Sequence, residues 1–168
     1  MSRVGGAAQI KAMKGAVGTL KGDLAQFREL EAFASMGSEL DAVSQATLDR
    51  GYRLTELLKQ GLNSPLAVED QVVVLYAGTR GYLDPIPVGD VRRYETELIE
   101  FLQARHSGLM NQIKDEGKMD EDGLNAALAA FADEFSAEES YDAGKAAAAK
   151  ADDAAPAAAE PTTESSEA

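Results

Sequence analysis

From Val88 to Arg105, in "VGDVRRYETELIEFLQAR", apolar side chains recur every three or four residues. Val91, Tyr94, Leu98, Phe101 and Leu102 form one stripe, while Arg92, Arg93, Glu95, Glu97 and Glu100 lie largely off it. This period, with charge on the opposite side, is that of an amphipathic helix covering a core. One such stripe cannot bury itself, so the rest of the chain has to supply matching faces. Leu20, Leu24, Phe27, Leu30 and Ala34 supply a first one, on a helix that starts at Lys11. Gly15, Gly18 and Gly22 interrupt its first half, each at a cost of roughly 1 kcal/mol against alanine. "SMGSELD" breaks the pattern, with Gly37 as the stop and Ser38 as the next N-cap. A second helix is predicted over about 40–60, ending on "LTELLKQ" before the breaker "GLNSP".

"PLAVEDQVVVLYAG" admits a buried strand or a buried helix, because Val72, Val73, Val74, Leu75 and Tyr76 form an unbroken apolar run. Glu69 and Asp70 just upstream suit a helix first turn, and no neighbouring segment offers a strand partner, so a helix is predicted. "TRGYLDPIP" is a turn-rich connector. A shorter helix carries Leu109, Met110 and Ile113, and a last one, starting near Asp120, carries Leu124, Ala127, Leu128, Phe131 and Phe135. Residues 1–9 read as loop. Residues 137–168 hold 13 alanines, two prolines, eight acids and two bases, too little apolar surface to offset ordering entropy, so a disordered acidic tail is expected. The predicted fold is an all-α bundle of five to six helices, preceded by a loop and followed by that tail.

Charge and composition narrow the function. A net charge of −13 argues against nucleic-acid binding, which needs clustered Lys and Arg. With no cysteine and one histidine, His106, thiolate chemistry and a histidine-based metal cluster are excluded. No apolar run approaches the ~20 residues of a membrane helix, and the N-terminus lacks a signal-peptide core. The expectation is a soluble, intracellular chain.

Four motifs tempt. "GAVGTLKG" loosely evokes a phosphate loop, but Gly22 follows Lys21 and no strand precedes it, so a helix with tolerated glycines is the better reading. His106 ends a strong helix with no Ser or Cys nucleophile beside it, which favours a cation at a helix C-terminus over a general base. "DEGKMDEDG" lacks calcium-loop ligand spacing. Glu69 and Asp70 are adjacent and cannot converge on one substrate from a helix. Without a catalytic constellation, the chain is not expected to be an enzyme on its own. Arg3, in the small-residue run "SRVGGAA", has two readings: a solvated arginine near a terminus, or a guanidinium inserted into another subunit's phosphate site.

The segments "SRVGGAAQIKAMK", "GTLKGDLAQFRELEAFASMGSELD", "RLTELLKQ" and "SPLAVEDQVVVLYAGTRGYLDPIPVGDVRRYE" occur in order. Together they resemble the C-terminal third of the alpha subunits of bacterial F-type, proton-translocating ATP synthases. The resemblance runs from Ser2 to about Phe135, and the Ala-rich tail departs from it. It implies that Arg3, supported by Ser2, is the arginine reaching in trans into the catalytic nucleotide site of the beta subunit. It implies that Gly37, Ser38, Glu39, Leu40 and Asp41 face the gamma subunit of the central stalk. Gln60 is implied in the adenine pocket of alpha's own non-catalytic site, with Leu62 where a second glutamine is expected. Gly15 and Gly22 replace larger residues, which weakens the first helix.

The resemblance further implies that residues 1–20 are a remnant of the end of a nucleotide-binding domain, residues 21–136 the C-terminal helical domain and residues 137–168 an extension. ATP or ADP with magnesium is implied in the full-length complex and none for this stretch alone. The beta and gamma subunits and other alpha segments are the implied partners, and the cytoplasmic side of the plasma membrane the implied place, reached peripherally through the complex. Met1 stands where the family has an apolar residue, so a truncated, split or separately started piece is expected. Cut off from a sheet, Ile10, Met13 and Val17 are expected to form an exposed patch. Two rival readings stay open: a separately expressed helical module competing for beta or gamma subunits, and an unrelated acidic bundle.

Overall fold

The computed structural model describes residues 3–37 and 39–135, and these residues form helices, turns and loops without a strand. In chain order the helices are α1 (Arg3–Ala8), α2 (Lys11–Ala16), α3 (Leu20–Ser35), α4 (Ala42–Leu57), α5 (Val68–Thr79), α6 (Val91–Arg105), α7 (Ser107–Glu116) and α8 (Glu121–Glu134). A 3-10 turn, Val88–Asp90, leads into α6. The all-α expectation holds. The expected acidic tail lies outside the described residues.

The ambiguous valine run is α5, and it is the centre of the bundle. Val72, Val73 and Ala77 are fully buried, and Val74 and Tyr76 nearly so. Burying each valine contributes about 1.5–3 kcal/mol. A helix apolar all round has to be enclosed, and α2, α4, α6 and α7 enclose it. Val91, Tyr94, Leu98 and Leu102 of α6 join this core, as do Ile113 of α7 and Leu124, Leu128 and Phe131 of α8. The Asn125 side chain ties α8 to α5 by accepting hydrogen bonds from the hydroxyls of Tyr76 (3.1 Å) and Tyr82 (3.3 Å). Asp120 caps α8, its carboxylate accepting from the Gly123 amide at 3.2 Å. The connector between α5 and α6 is pinned to α4: Arg50 donates twice to Asp84, and Arg53 donates to the Ile86 carbonyl at 2.6 Å.

Three expectations at the N-terminal end need correction. Residues 3–8, read as loop, are helical. Nothing lies within 4 Å of a side chain added at Gly5 or Gly6, so packing does not explain that turn of helix. The helix starting at Lys11 is two helices, broken at Val17–Thr19. Lastly, Ile10, Met13 and Val17 are not a stranded patch. Met13 is buried with Ala12 and Ala16, and Ile10 and Val17 pack against the same core. The physical reason is that α2 is fixed at both ends. The Ala12 amide donates to the Gly117 carbonyl at 2.8 Å, and the Thr79 hydroxyl donates to the Ala16 carbonyl at 2.9 Å. Gly117 ends α7 with φ +66, where only glycine sits without strain, and its Cα faces Ile10.

α3 is an outrigger that packs on α4. Of its stripe only Phe27 is buried, edge-on to Tyr52 with ring centroids 5.0 Å apart. Leu20, Leu24, Leu30 and Ala34 are half-buried.

Candidate functional site

The residues singled out in the sequence fall in three places, and the fold does not bring them together. Arg3 is the first residue of α1, and Ser2 and Ser38 lie outside the described residues. Gly37, Glu39, Leu40 and Asp41 form the tip of the α3–α4 hairpin, and Gln60 follows the opposite end of α4. The 16 residues of α4 separate tip and glutamine by about 24 Å.

At the tip, Gly37 takes the left-handed conformation (φ +76) one residue past the C-cap Met36, and its amide donates to the Ala34 carbonyl at 3.1 Å. Asp41, not Ser38, is the N-cap residue of α4, in extended conformation. Its carboxyl is held below the ordinary value chiefly by the Ser44 hydroxyl one turn into the helix. Around the tip Phe33 (55 % exposed), Met36 (70 %) and Val43 (74 %) stand in solvent. The periodicity of α3 could have flagged Phe33 and Met36, but it shows spacing and not whether a neighbouring helix covers the face.

Gln60 lies exposed on the rim of a cleft of about 360 Å³ between the loop after α4 and one face of α6. Gly61, Ser64 and Leu66 form one wall, and Arg92, Glu95, Thr96, Ile99 and Glu100 the other. Arg92 bridges the two helices, 3.6 Å from Glu56 and 3.5 Å from Glu95. Burial pushes the Glu95 carboxyl up from its ordinary value, and Arg92 works against that shift. Leu62 does not line the cleft; it is 93 % exposed. The cleft offers an amide, two hydroxyls, two carboxylates and a paired arginine, which can orient a polar ligand.

His106 is the C-cap of α6 and also the residue before α7, so two helix termini of opposite polarity meet there. Its ring rests 5.4 Å from that of Phe101. The sequence places His106 at the end of α6, which is where it lies. Glu69 is within 3.8 Å of Lys114, while Asp70 is buried and accepts from the Gln103 amide at 3.2 Å. They point to different partners, as adjacent helix positions must. No group of three or more His, Cys, Asp or Glu that could hold a metal ion occurs among the described residues. None of their helices is long and apolar enough to cross a membrane.

The described residues thus form a helical domain with a cleft edged by Gln60 and Arg92 at one end of α4 and exposed Phe33, Met36 and Val43 around the hairpin tip at the other. Residues 9–135 match the ATP synthase alpha/beta chain, C-terminal domain, and the chain belongs to that family. It is 55% identical over 138 residues to ATP synthase subunit alpha of Streptomyces lividans, covering 80% of this chain and 26% of that protein. The same subunit of Lactiplantibacillus plantarum is 55% identical over 136 residues (80% and 27%), and that of Mycolicibacterium smegmatis 58% over 122 residues (73% and 22%). The chain spans about a quarter of the length of these relatives and corresponds to their C-terminal region.

Proposed function

We propose that this chain works as the C-terminal part of an ATP synthase alpha subunit, within the catalytic head that couples proton flow to ATP synthesis. The observation that carries this is the 55% identity to a bacterial alpha subunit across four-fifths of the chain. In this reading Arg3, with Ser2 beside it, reaches in trans to the catalytic nucleotide site of a beta subunit. There a guanidinium stabilises the charge that develops during phosphoryl transfer. The hairpin tip at Gly37, Ser38, Glu39, Leu40 and Asp41 bears on the gamma subunit, and exposed Phe33, Met36 and Val43 supply apolar contact area there. Gln60 orients the adenine of the non-catalytic nucleotide, its amide offering both a donor and an acceptor. ATP or ADP and magnesium belong to the assembled head, which sits peripherally on the cytoplasmic face of the plasma membrane.

These 168 residues contain no G-x-x-x-x-G-K-[ST] run to hold phosphates, so by themselves they do not turn over ATP. The test uses the purified chain. It is expected to show no magnesium-dependent ATP hydrolysis above buffer and to be retained by immobilised beta and gamma subunits. Hydrolysis by the chain alone overturns the reading, and so does failure to bind either subunit. A second reading, a separately made module that competes for the same subunits, is favoured by the exposed apolar tip. It predicts that added chain lowers the yield of head assembled from full-length subunits.

A further inference from the structure

Six large apolar side chains are exposed among the described residues, and three of them, Phe33, Met36 and Val43, belong to the α3–α4 hairpin. Phe33 and Val43 face each other across a groove of about 330 Å³. Its walls are Glu29, Leu30 and Phe33 of α3 and Val43, Ser44 and Thr47 of α4. Single apolar side chains on a surface are ordinary, but a contiguous group along a groove marks an interaction site. The stretch of α3 on the groove, from Gln26 to Phe33, rises about 11 Å, or two helical turns. That length fits two turns of a second helix, with apolar side chains three or four positions apart seated in the groove.

Charge selects which helix. Residues 29–49 contain five acids, Glu29, Glu31, Glu39, Asp41 and Asp49, and no lysine or arginine. The cations of the hairpin are engaged elsewhere. Lys21 and Arg28 of α3 line a different cleft, with Gln9, Val17 and Leu20. Arg50 of α4, where the groove runs on past Thr47, is clamped by both oxygens of Asp84, and Arg53 is buried with its Nε on the Ile86 carbonyl. Glu29 and Glu39 are exposed and make no ion pair among the described residues. Exposed Asp41 keeps its charge, because Ser44 holds its carboxyl below the ordinary value. An apolar seat bordered by unpaired carboxylates attracts a helix of the converse pattern and repels an acidic one. We propose that the α3–α4 groove docks a cationic amphipathic helix of a partner subunit, with its apolar side chains on Leu30, Phe33 and Val43 and its basic ones on Glu29, Glu39 and Asp41. This rests on the reading that the hairpin bears on another subunit, and it adds what that subunit presents.

The test titrates the full nitrogen-15 chain with a synthetic amphipathic helix of leucine and lysine, and with its leucine–glutamate counterpart of the same pattern. Docking predicts amide shifts at residues 29–33 and 43–47 with the lysine peptide and none with the glutamate peptide. Affinity should fall severalfold between about 0.1 M and 1 M salt, as charge action shrinks from roughly 10 Å to 3 Å. The variant Glu29→Gln/Glu39→Gln/Asp41→Asn should lose roughly tenfold in affinity, with its fold kept, since asparagine also serves as the N-cap of α4. Phe33→Ala should lose about as much, and Asp115→Asn/Glu116→Gln, on α7, nothing. Equal binding of both peptides, shifts outside the groove, full affinity in the triple variant, or a chain that dimerises through these residues overturns the proposal. Immobilised gamma subunit separates it from the reading it rests on, and should retain the wild-type chain better than the triple variant. Equal retention of both overturns the cationic partner while the stalk contact stands. Retention of neither, with peptide docking intact, overturns the stalk contact while the groove stands.

Discussion

Replacing Gly51 with alanine adds one methyl group where Phe27 already stands. A Cβ built there lies 2.1 Å from Phe27 Cδ2, 2.3 Å from Cγ and 2.5 Å from Cβ. The ring can rotate, but Phe27 Cβ is set by the α3 backbone, and carbon atoms pack at about 3.5–4.0 Å. α3 therefore has to move away by about 1 Å, or Phe27 has to leave its slot. Overpacking costs about 1–3 kcal/mol, and exposing a buried phenylalanine has a similar ceiling of about 3 kcal/mol. Alanine recovers about 1 kcal/mol of helix propensity in α4. The expected net loss is up to about 2 kcal/mol.

The loss should be local, because among the described residues α3 packs chiefly on α4, and Phe27 lies outside the main core cluster. Native-state hydrogen exchange reads this directly. Amides of α3 should lose protection by up to about thirtyfold, the equivalent of about 2 kcal/mol, while those of α5 and α6 keep theirs. Gly22→Ala is the control. It lies in α3 with nothing within 4 Å of the added methyl, so it should stabilise by about 0.4–1 kcal/mol. A Gly51→Ala protein with unchanged α3 protection refutes the close-approach argument.

Further predictions concern buried polar groups and the cleft. Glu95 has its pKa raised by burial, so the native state holds its proton at higher pH than the unfolded chain does. The cost of burying the charge is then present above the folded pKa and vanishes as pH falls below the unfolded value, near 4.5. Glu95→Gln should therefore raise stability in urea melts at neutral pH, with the gain shrinking on acidification; a gain that grows in acid contradicts this. Among the described residues the buried Tyr94 hydroxyl has no hydrogen-bond partner, so Tyr94→Phe should be neutral or stabilising by up to about 1 kcal/mol in thermal melts. Leu62→Gln should change stability by less than about 0.5 kcal/mol, since Leu62 is 93 % exposed. If Gln60 reads a nucleotide, the same change should tighten nucleotide binding in the assembled subunit.

Helix periodicity made α6 and α8 legible, because those helices bury a face against the core and the face leaves its period in the sequence. α5 was the hard case, since an apolar run has no period. The acids at its first turn and the lack of a strand partner decided it. α2 was misjudged because what anchors it is distant in sequence. The Gly117 carbonyl and the Thr79 hydroxyl leave no local trace. The hairpin tip was legible as a break, at Gly37, but its cap was assigned to Ser38 where Asp41 serves. Arg3 and Gln60 carry no spacing signal at all. The roles proposed for them rest on resemblance alone.

The central claim is tested most directly by a chimaera. Residues 3–135 replace the corresponding C-terminal region of the Mycolicibacterium smegmatis alpha subunit, and proton-driven ATP synthesis is measured in membrane vesicles, with and without Arg3→Ala. The account predicts coupled synthesis by the chimaera. It also predicts a loss on the order of a thousandfold in the Arg3→Ala form, with the head still assembled. An inactive chimaera, or an Arg3→Ala chimaera that synthesises ATP at the full rate, contradicts it.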